Sequence, residues 1–344
     1  MSPQESAISF LFNLNRLKGN QHFYAILKFM KAHIAVDIGG TQLRAGLYNL
    51  DSIKPTKLVK TSTQHADETP LHRLISLIES VWSEDIEISS IGVAAPGPVN
   101  PYEGIVYTTP NIPGWENFPL GSHLFEYFNV PILIGNDANL AALGEWQFGI
   151  GQGHSHLIYL TVSTGVGGGI IVENRPLLGV KGLAAEIGHI TVLPDGPLCS
   201  CGQPGHLEAL SSGTAITNWF SEAIAKGFPS KLSGQKNLTS KVIAEAANNG
   251  DELAIAAFKR AGFYLGLGII NLLHIFNPSI IIIGGGVSRS GNLFIEPIKT
   301  TLEQQVISSR YLDDLMITSP SLGDEAGLVG ALVLARSHDK DHLI

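Results

Sequence analysis

Cysteine is nearly absent from this chain of 344 residues: there are two, Cys199 and Cys201. So few thiols exclude a disulfide-stapled secreted scaffold. Charge is sparse as well. Charged residues make up 15% of the chain, and 30 acidic side chains against 22 basic ones leave a formal net charge of −8. That balance argues against a nucleic-acid binder, which would show a basic face, and no nucleic-acid partner is expected. No apolar run reaches the roughly 18 unbroken residues that span a bilayer, so no membrane partner is expected either. The N-terminal stretch lacks the charged, apolar and small-residue segments of a secretion signal. A reducing cytoplasm is the expected location. Two phosphate-binding signatures are missing too. No G-K-[ST] follows a glycine loop, and no GxGxxG opens the first strand-to-helix turn, which sets aside Walker-type and dinucleotide folds.

Glycine and buried strand are abundant. There are 38 glycines, and 44% of residues are hydrophobic, enough for a compact chain with two domains. Residues 33–50 read as strand, glycine turn and strand; 71–82 as a helix; 88–100 as a strand ending in a Gly/Pro turn. A further strand precedes a helix over 137–149 with Asp137 as its N-cap. Two strands joined by Gly-Val-Gly follow, then a long irregular stretch over 174–214. From residue 239 the chain reads as helical, with Gly250 and Asp251 as stop and cap and Pro278 as a second stop. A strand running into Gly284–Gly286 and a closing helix over 324–338 complete an α/β pattern with mixed sheets. Strand, glycine turn and strand occur near 37 and again near 163, a loose internal echo. The first 29 residues read as an appended amphipathic segment or as the product of an upstream start codon.

Three glycine loops stand at strand edges: Gly39, Gly40 and Thr41; Thr164, Gly165, Gly167 and Gly168; and Gly285 with Gly286. Glycines let backbone N–H groups converge on a phosphate, and a threonine hydroxyl adds a donor. Each loop alone reads equally as an ordinary turn. Together they imply a nucleoside triphosphate held between two lobes. Phosphoryl transfer to a hydroxyl needs a carboxylate to take the proton, and Asp137 is the candidate; its alternative role is to cap the helix. Asp37 could hold the water shell of Mg²⁺, or merely stabilise its turn. For the cysteines, a disulfide across one residue would be strained and a redox pair would favour C-x-x-C. Zinc fits better, since Cys199, Cys201 and His206 lie within eight residues and His189 ten positions upstream of Cys199. The alternative is a vestigial site with His206 on the surface.

In chain order, D-x-G-G-T (37–41), N-D-A-N (136–139), T-G-x-G-G-G (164–169), E-x-G-H (186–189) and C-x-C-G-x-x-G-x-x-E (199–208) resemble the ROK family of sugar kinases and related repressors. The resemblance covers roughly residues 33–337. It implies the two-lobed actin/hexokinase/Hsp70-like ATPase fold, with ribonuclease H-like lobes built on mixed sheets. A smaller lobe would comprise 33–142 and 324–339, and a larger lobe, carrying the zinc site, 143–323; residues 1–32 would form an extension. The implied activity is an ATP-dependent hexose kinase, first of all a glucokinase acting on the 6-hydroxyl of glucose. Fructose, mannose, allose or N-acetylmannosamine are alternative substrates.

By the same resemblance, Asp137 is the base, and Asn111, Asn136, Glu186, His189 and Glu208 bind sugar. Ser212, Gly213, Gly285 and Gly286 line the adenosine side, Mg²⁺ bridges the phosphates, the zinc is structural and the assembly is a homodimer. Two departures stand out: His206 replaces an expected cysteine ligand, and Ala185 replaces the glycine common before the glutamate. A sugar-sensing repressor of the family would carry an N-terminal winged helix-turn-helix. The roughly 30 residues before the first strand are too few for one.

Overall fold

The computed structural model describes residues 31–64, 68–109 and 112–339. Among them, two five-stranded sheets carry the architecture. The first uses β1 (Lys31–Ile38), β2 (Gln42–Asn49), β3 (Lys57–Ser62), β4 (Glu87–Ala95) and, after the short ribbon β5 (Val99–Asn100) and β6 (Ile105–Val106), β7 (Ile132–Asn136). The second uses β8 (Leu157–Val162), β9 (Val166–Val172), β10 (Arg175–Pro176), β11 (Ile280–Gly284) and β12 (Met316–Thr318). Their orders are β3-β2-β1-β4-β7 and β10-β9-β8-β11-β12. In each, the first strand is antiparallel to the second and parallel to the fourth, and the fourth is parallel to the fifth. The echo near 37 and 163 is thus a repeat of topology.

Central strands are apolar on both faces because both faces are covered. Ile34 and Val36 of β1, and Ile280, Ile281 and Ile282 of β11, are fully buried. The helices are α1 (Pro70–Val81), α2 (Leu120–Phe128), α3 (Asp137–Phe148), the single turn α4 (Glu208–Ser211), α5 (Gly213–Ala225), α6 (Ser240–Asn248), α7 (Glu252–Phe276), α8 (Asn292–Gln305) and α9 (Ala326–Ser337). Asp251 caps α7 by accepting the Ala254 N–H at 2.9 Å, as the sequence predicts. By length and composition alone α7 could cross a membrane. Here it is the core helix of the second sheet, with Phe258, Leu265, Ile269 and Leu273 fully buried.

The two sheets are joined by a helix pair. α9 packs on β1 and β4, α3 packs on β8 and β9, and the two helices pack on each other. Consequently α3 has no solvent face over most of its length, and Ala138 to Glu145 are all buried. Glycine permits the close crossing. A Cβ on Gly144 would stand 2.6 Å from the Ala326 carbonyl oxygen, and one on Gly330 would overlap that of Leu140.

One cap differs from expectation. Asn136, not Asp137, is the N-cap of α3: its Oδ1 accepts the N–H groups of Ala138 (3.0 Å) and Asn139 (3.1 Å). Asn136 has the extended backbone a cap requires, whereas Asp137 is already the first helical residue. The sequence reading also passes over β3, α2, α5 and α8, the last of which carries Pro297 in its interior.

Candidate active site

Asp137 sits where β7 ends and α3 begins, at the junction of the two halves. It lines a cleft of about 360 Å³ together with Asp37, Arg44, Gly285, Arg289 and Asp324. On the other side of Gly285–Gly286 lies a second cavity of about 340 Å³, lined by Thr164, Gly213, Thr214, Asn218 and Gly286. The first is charged and the second lacks charged side chains, which suits a phosphate tail and a nucleoside respectively.

Two influences act on the Asp137 carboxyl in opposite directions. Burial, with Asp37 and Glu186 nearby, raises its pKa, while the Ala138 N–H it accepts at 2.7 Å lowers it. Burial wins, and the pKa is pushed up to about 6. The helix start alone would have kept the group more acidic. A carboxylate poised near neutrality is the form a general base needs.

The three glycine loops occupy different places. Gly39, Gly40 and Thr41 form the β1–β2 turn, closed by the Gly39 N–H to Gln42 carbonyl bond at 2.9 Å. Thr63 pins this turn through its Oγ1, which donates to the Gly39 carbonyl at 2.6 Å. The turn itself is not among the residues lining the cleft; Asp37 and Arg44 below it are. Thr164 lines the second cavity, and the Thr214 hydroxyl donates to its carbonyl at 2.8 Å. Gly165 abuts the Glu208 carboxylate, while Gly167 and Gly168 lie in β9, against Ala138 and Ile187. Gly285 lines the cleft and Gly286 the second cavity. Ser212 is buried and caps α5 by accepting the Ala215 N–H at 3.1 Å, leaving Gly213 to face the cavity.

The four proposed metal ligands converge. The donor atoms of His189, Cys199, Cys201 and His206 all lie within 4.8 Å of one another. Cys199 Sγ is 3.7 Å from His189 Nδ1, and Cys201 Sγ is 3.2 Å from His206 Nδ1. Tetrahedral zinc with donors at about 2.0–2.3 Å sets them roughly 3.3–3.8 Å apart; both Cys–His pairs stand near that spacing, and two thiols with two imidazoles are a donor set that zinc takes. Both cysteines are free thiols.

This loop also reaches the β8–β9 turn. Ser200 Oγ donates to Glu208 Oε1 at 2.8 Å, and Glu208 Oε2 accepts the Val166 N–H at 3.0 Å. Burial, followed by the Glu208 charge, pushes the Glu186 carboxyl above its usual range, with His189 opposing. Asn136 Nδ2 donates to the Gly97 carbonyl at 3.0 Å, so most of its capacity is spent holding the strand end. Asn111 lies outside the described residues. Ala185, the departure from glycine, adopts a left-handed φ of 68°.

Sequence reasoning overlooked Arg44, Arg289, Asp324 and Glu145. The register Asp37↔Arg44 was available from the hairpin alone, since a turn at 39–41 places those residues opposite each other. Glu145 is fully buried and accepts the N–H groups of Leu322 (2.7 Å) and Ile150 (3.0 Å) and the Ser321 hydroxyl (3.0 Å). It ties the 319–324 rim of the cleft to α3, a role with no local sequence signal.

A family model described as the ROK family matches residues 33–338. The chain is 36% identical to a glucokinase of Thermotoga maritima over 303 residues, 87% of this chain and 95% of that one. It is 33% identical to the xylose repressor of Bacillus subtilis over 310 residues, covering 90% of this chain and 74% of the repressor. Among solved structures, a ROK family glucokinase from Streptomyces griseus in complex with glucose and AMPPNP is 35% identical, with a TM-score of 0.74, over 89% of this chain and 99% of that one.

Proposed function

The chain belongs to the ROK family, and from that premise we propose that it is an ATP-dependent glucokinase, transferring the terminal phosphoryl group of ATP to the 6-hydroxyl of glucose. The observation that carries this reading is Asp137: a carboxyl with a pKa near 6, at a helix start, on the wall of a charged cleft beside a neutral cavity. Asp137 accepts the proton of the 6-hydroxyl as its oxygen attacks phosphorus. Glu186, Glu208, His189, Asn136 and Asn111 bind the sugar, whose hydroxyls suit charged acceptors. The similarity to a glucokinase bound to glucose and AMPPNP supports the same ligands here.

The β8–β9 loop, Gly213 and Gly286 hold the nucleoside; Gly285, expected from the resemblance on the adenosine side, lines the charged cleft instead and stands at the phosphates. Asp37 and Asp324 offer the oxygen ligands that Mg²⁺ takes, and the ion would neutralise the phosphates. His189, Cys199, Cys201 and His206 would hold a structural zinc that fixes the loop bearing Glu208. The two lobes are 33–142 with 324–339, and 143–323. The assembly is a homodimer and the location cytoplasmic, in keeping with a chain that has only two cysteines.

The test is coupled ADP release from Mg·ATP with glucose, mannose, fructose, allose, N-acetylmannosamine and no sugar, with Asp137→Asn beside the wild type. Turnover on glucose that collapses in the variant is expected. Turnover on another sugar alone would replace the substrate and keep the mechanism. Folded protein that binds a sugar but turns none over would overturn the kinase in favour of a sensor, the reading that similarity to xylose repressors supports.

A further inference from the structure

Two of the sugar ligands named above stand in different halves of the molecule, Asn136 at the start of α3 and Glu186 in the loop after β10. A sugar held by both needs their spacing fixed to within about 0.5 Å. The β5–β6 ribbon runs between them. At its base, the Gly97 carbonyl accepts the Asn136 Nδ2–H at 3.0 Å. Near its tip, the Tyr102 hydroxyl crosses to the other half and donates to the Gly179 carbonyl at 3.0 Å. Gly179 lies in a loop closed by the Ala184 N–H, which donates to the Leu178 carbonyl at 3.0 Å, and Ala185 and Glu186 follow directly.

Neither end of this bridge is free to drift. The buried Asn100 accepts the N–H groups of Tyr102 (3.1 Å) and Glu103 (3.2 Å) on Oδ1, and its Nδ2 donates to the Tyr107 hydroxyl at 3.2 Å, which fixes the turn that bears Tyr102. The Gly121 N–H donates to the Gly104 carbonyl at 2.9 Å and ties the ribbon to the start of α2. Across the gap, the 178–184 loop lies directly on the ribbon. Gly182 has a φ of 72°, and a Cβ there would stand 2.0 Å from Pro101 Cδ and 3.0 Å from the Val99 carbonyl oxygen. Pro101, Gly182, Leu178 and Asn136 line one small cavity of about 40 Å³, so the contact adjoins the start of α3. Tyr102 is 63% exposed, so its ring adds little packing and its hydroxyl is the specific part of the contact.

We infer that Tyr102 is a positioning residue for the sugar: through Gly179 it holds the loop that carries Glu186, and so sets how far that carboxylate stands from Asn136 and Asp137. The loop needs an external hold. Ala185, immediately before Glu186, adopts a left-handed φ of 68°, a conformation that a residue with a Cβ keeps only when its surroundings impose it. The bond from Tyr102 supplies part of that constraint from the opposite half, so the two sets of sugar contacts are placed relative to each other by a direct link. Glu186 is a sugar ligand on the reading proposed above, and the inference rests on that reading for the ligand but not for phosphoryl transfer.

Calorimetric titration of glucose without nucleotide tests this in the wild type, Tyr102→Phe, Tyr127→Phe, Glu186→Ala and the double variant Tyr102→Phe/Glu186→Ala, with kcat and KM measured alongside. Tyr102→Phe keeps the ring and drops only the hydroxyl. It is expected to weaken glucose binding and raise KM roughly three- to tenfold, with kcat and the KM for Mg·ATP within about twofold of wild type. Tyr127→Phe removes another exposed hydroxyl, one that bonds Glu79 inside the first half, and should match the wild type. On the Glu186→Ala background, loss of the Tyr102 hydroxyl should change affinity by less than about twofold, because the group it positions is gone. Gly182→Ala, whose Cβ would press on Pro101, should lose at least as much glucose affinity as Tyr102→Phe. Glucose affinity within about twofold of wild type in Tyr102→Phe, or full additivity with Glu186→Ala, would overturn the inference. So would a fall in kcat as large as the rise in KM, with a lowered melting temperature. If the wild type binds glucose yet phosphorylates no sugar, the kinase reading fails, and the titrations still decide on Tyr102.

Discussion

The two halves share one hairpin and use it differently. In the first, the β1–β2 turn stands clear of the cleft, and the charges just below it, Asp37 and Arg44, face inward. In the second, the β8–β9 turn carries no charge of its own and is held from outside: Glu208 takes the Val166 N–H, and the Gly213 N–H donates to the Ser163 carbonyl at 2.7 Å. One hairpin supplies side chains and the other supplies backbone. The same topology therefore accommodates a charged wall and an uncharged one, and what distinguishes them is which groups the neighbouring loops bring.

Removing the residue at the junction should have the largest effect. Asp137→Asn is expected to lower kcat by roughly 10³–10⁴-fold while glucose binding changes little, which steady-state kinetics and a glucose titration would separate. A proportionate rise in KM without loss of kcat would mean that Asp137 binds rather than reacts.

Breaking the prop of the second hairpin comes next. Cys199→Ser, or removal of the metal by a chelator, should release the 199–208 loop and lower kcat/KM by roughly 10–100-fold. Amide exchange should rise over 163–168 and stay unchanged over 37–44. Exchange rising equally in both hairpins would erase the distinction between them.

Two buried groups answer acid in opposite senses. His33, buried in the first sheet, is held neutral: burial lowers its pKa to about 4. As pH falls from 6.5 the unfolded chain gains that proton and the folded one does not, so stability drops by up to about 3 kcal/mol by pH 4. Asp137 acts in the opposite sense. With a folded pKa near 6 against an unfolded value near 3.8, it takes its proton first in the native state. It therefore adds up to roughly 3 kcal/mol as pH falls through the same window. Urea melts of the wild type between pH 6.5 and 4 should show these two contributions largely cancelling. Asp137→Asn should lose stability with acid, and His33→Gln should gain it; parallel slopes in all three would contradict both assignments.

The smallest effect is at the departure from the family pattern. Ala185 pays for a left-handed φ of 68°, and Ala185→Gly should raise stability by about 1 kcal/mol with turnover unchanged.

Much of this was legible in the sequence, and the limits are physical. Glycine turns between apolar runs announced both hairpins, and the spacing of His189, Cys199, Cys201 and His206 announced a cluster that the fold does assemble. Local signals failed where partners are remote. Asn136 and Asp137 are both good cap residues, and only the backbone of Asn136 decides between them. The Glu145 carboxylate meets residues 321 and 322, and the Ser200 hydroxyl meets Glu208; neither contact has a period or a propensity to betray it. Arg44 was readable in principle from hairpin register, but its place on the cleft wall depends on Gly285 and α9 arriving from far along the chain.

In the proposed reaction Asp137 is the base of a glucokinase that works between the two hairpins. The most direct test is the pH dependence of kcat/KM for glucose from pH 5 to 8.5, at saturating Mg·ATP. A limb is expected that falls tenfold per unit below an apparent pKa near 6 and is absent from the residual activity of Asp137→Asn. A profile flat through pH 5, or an unchanged limb in that variant, would contradict it.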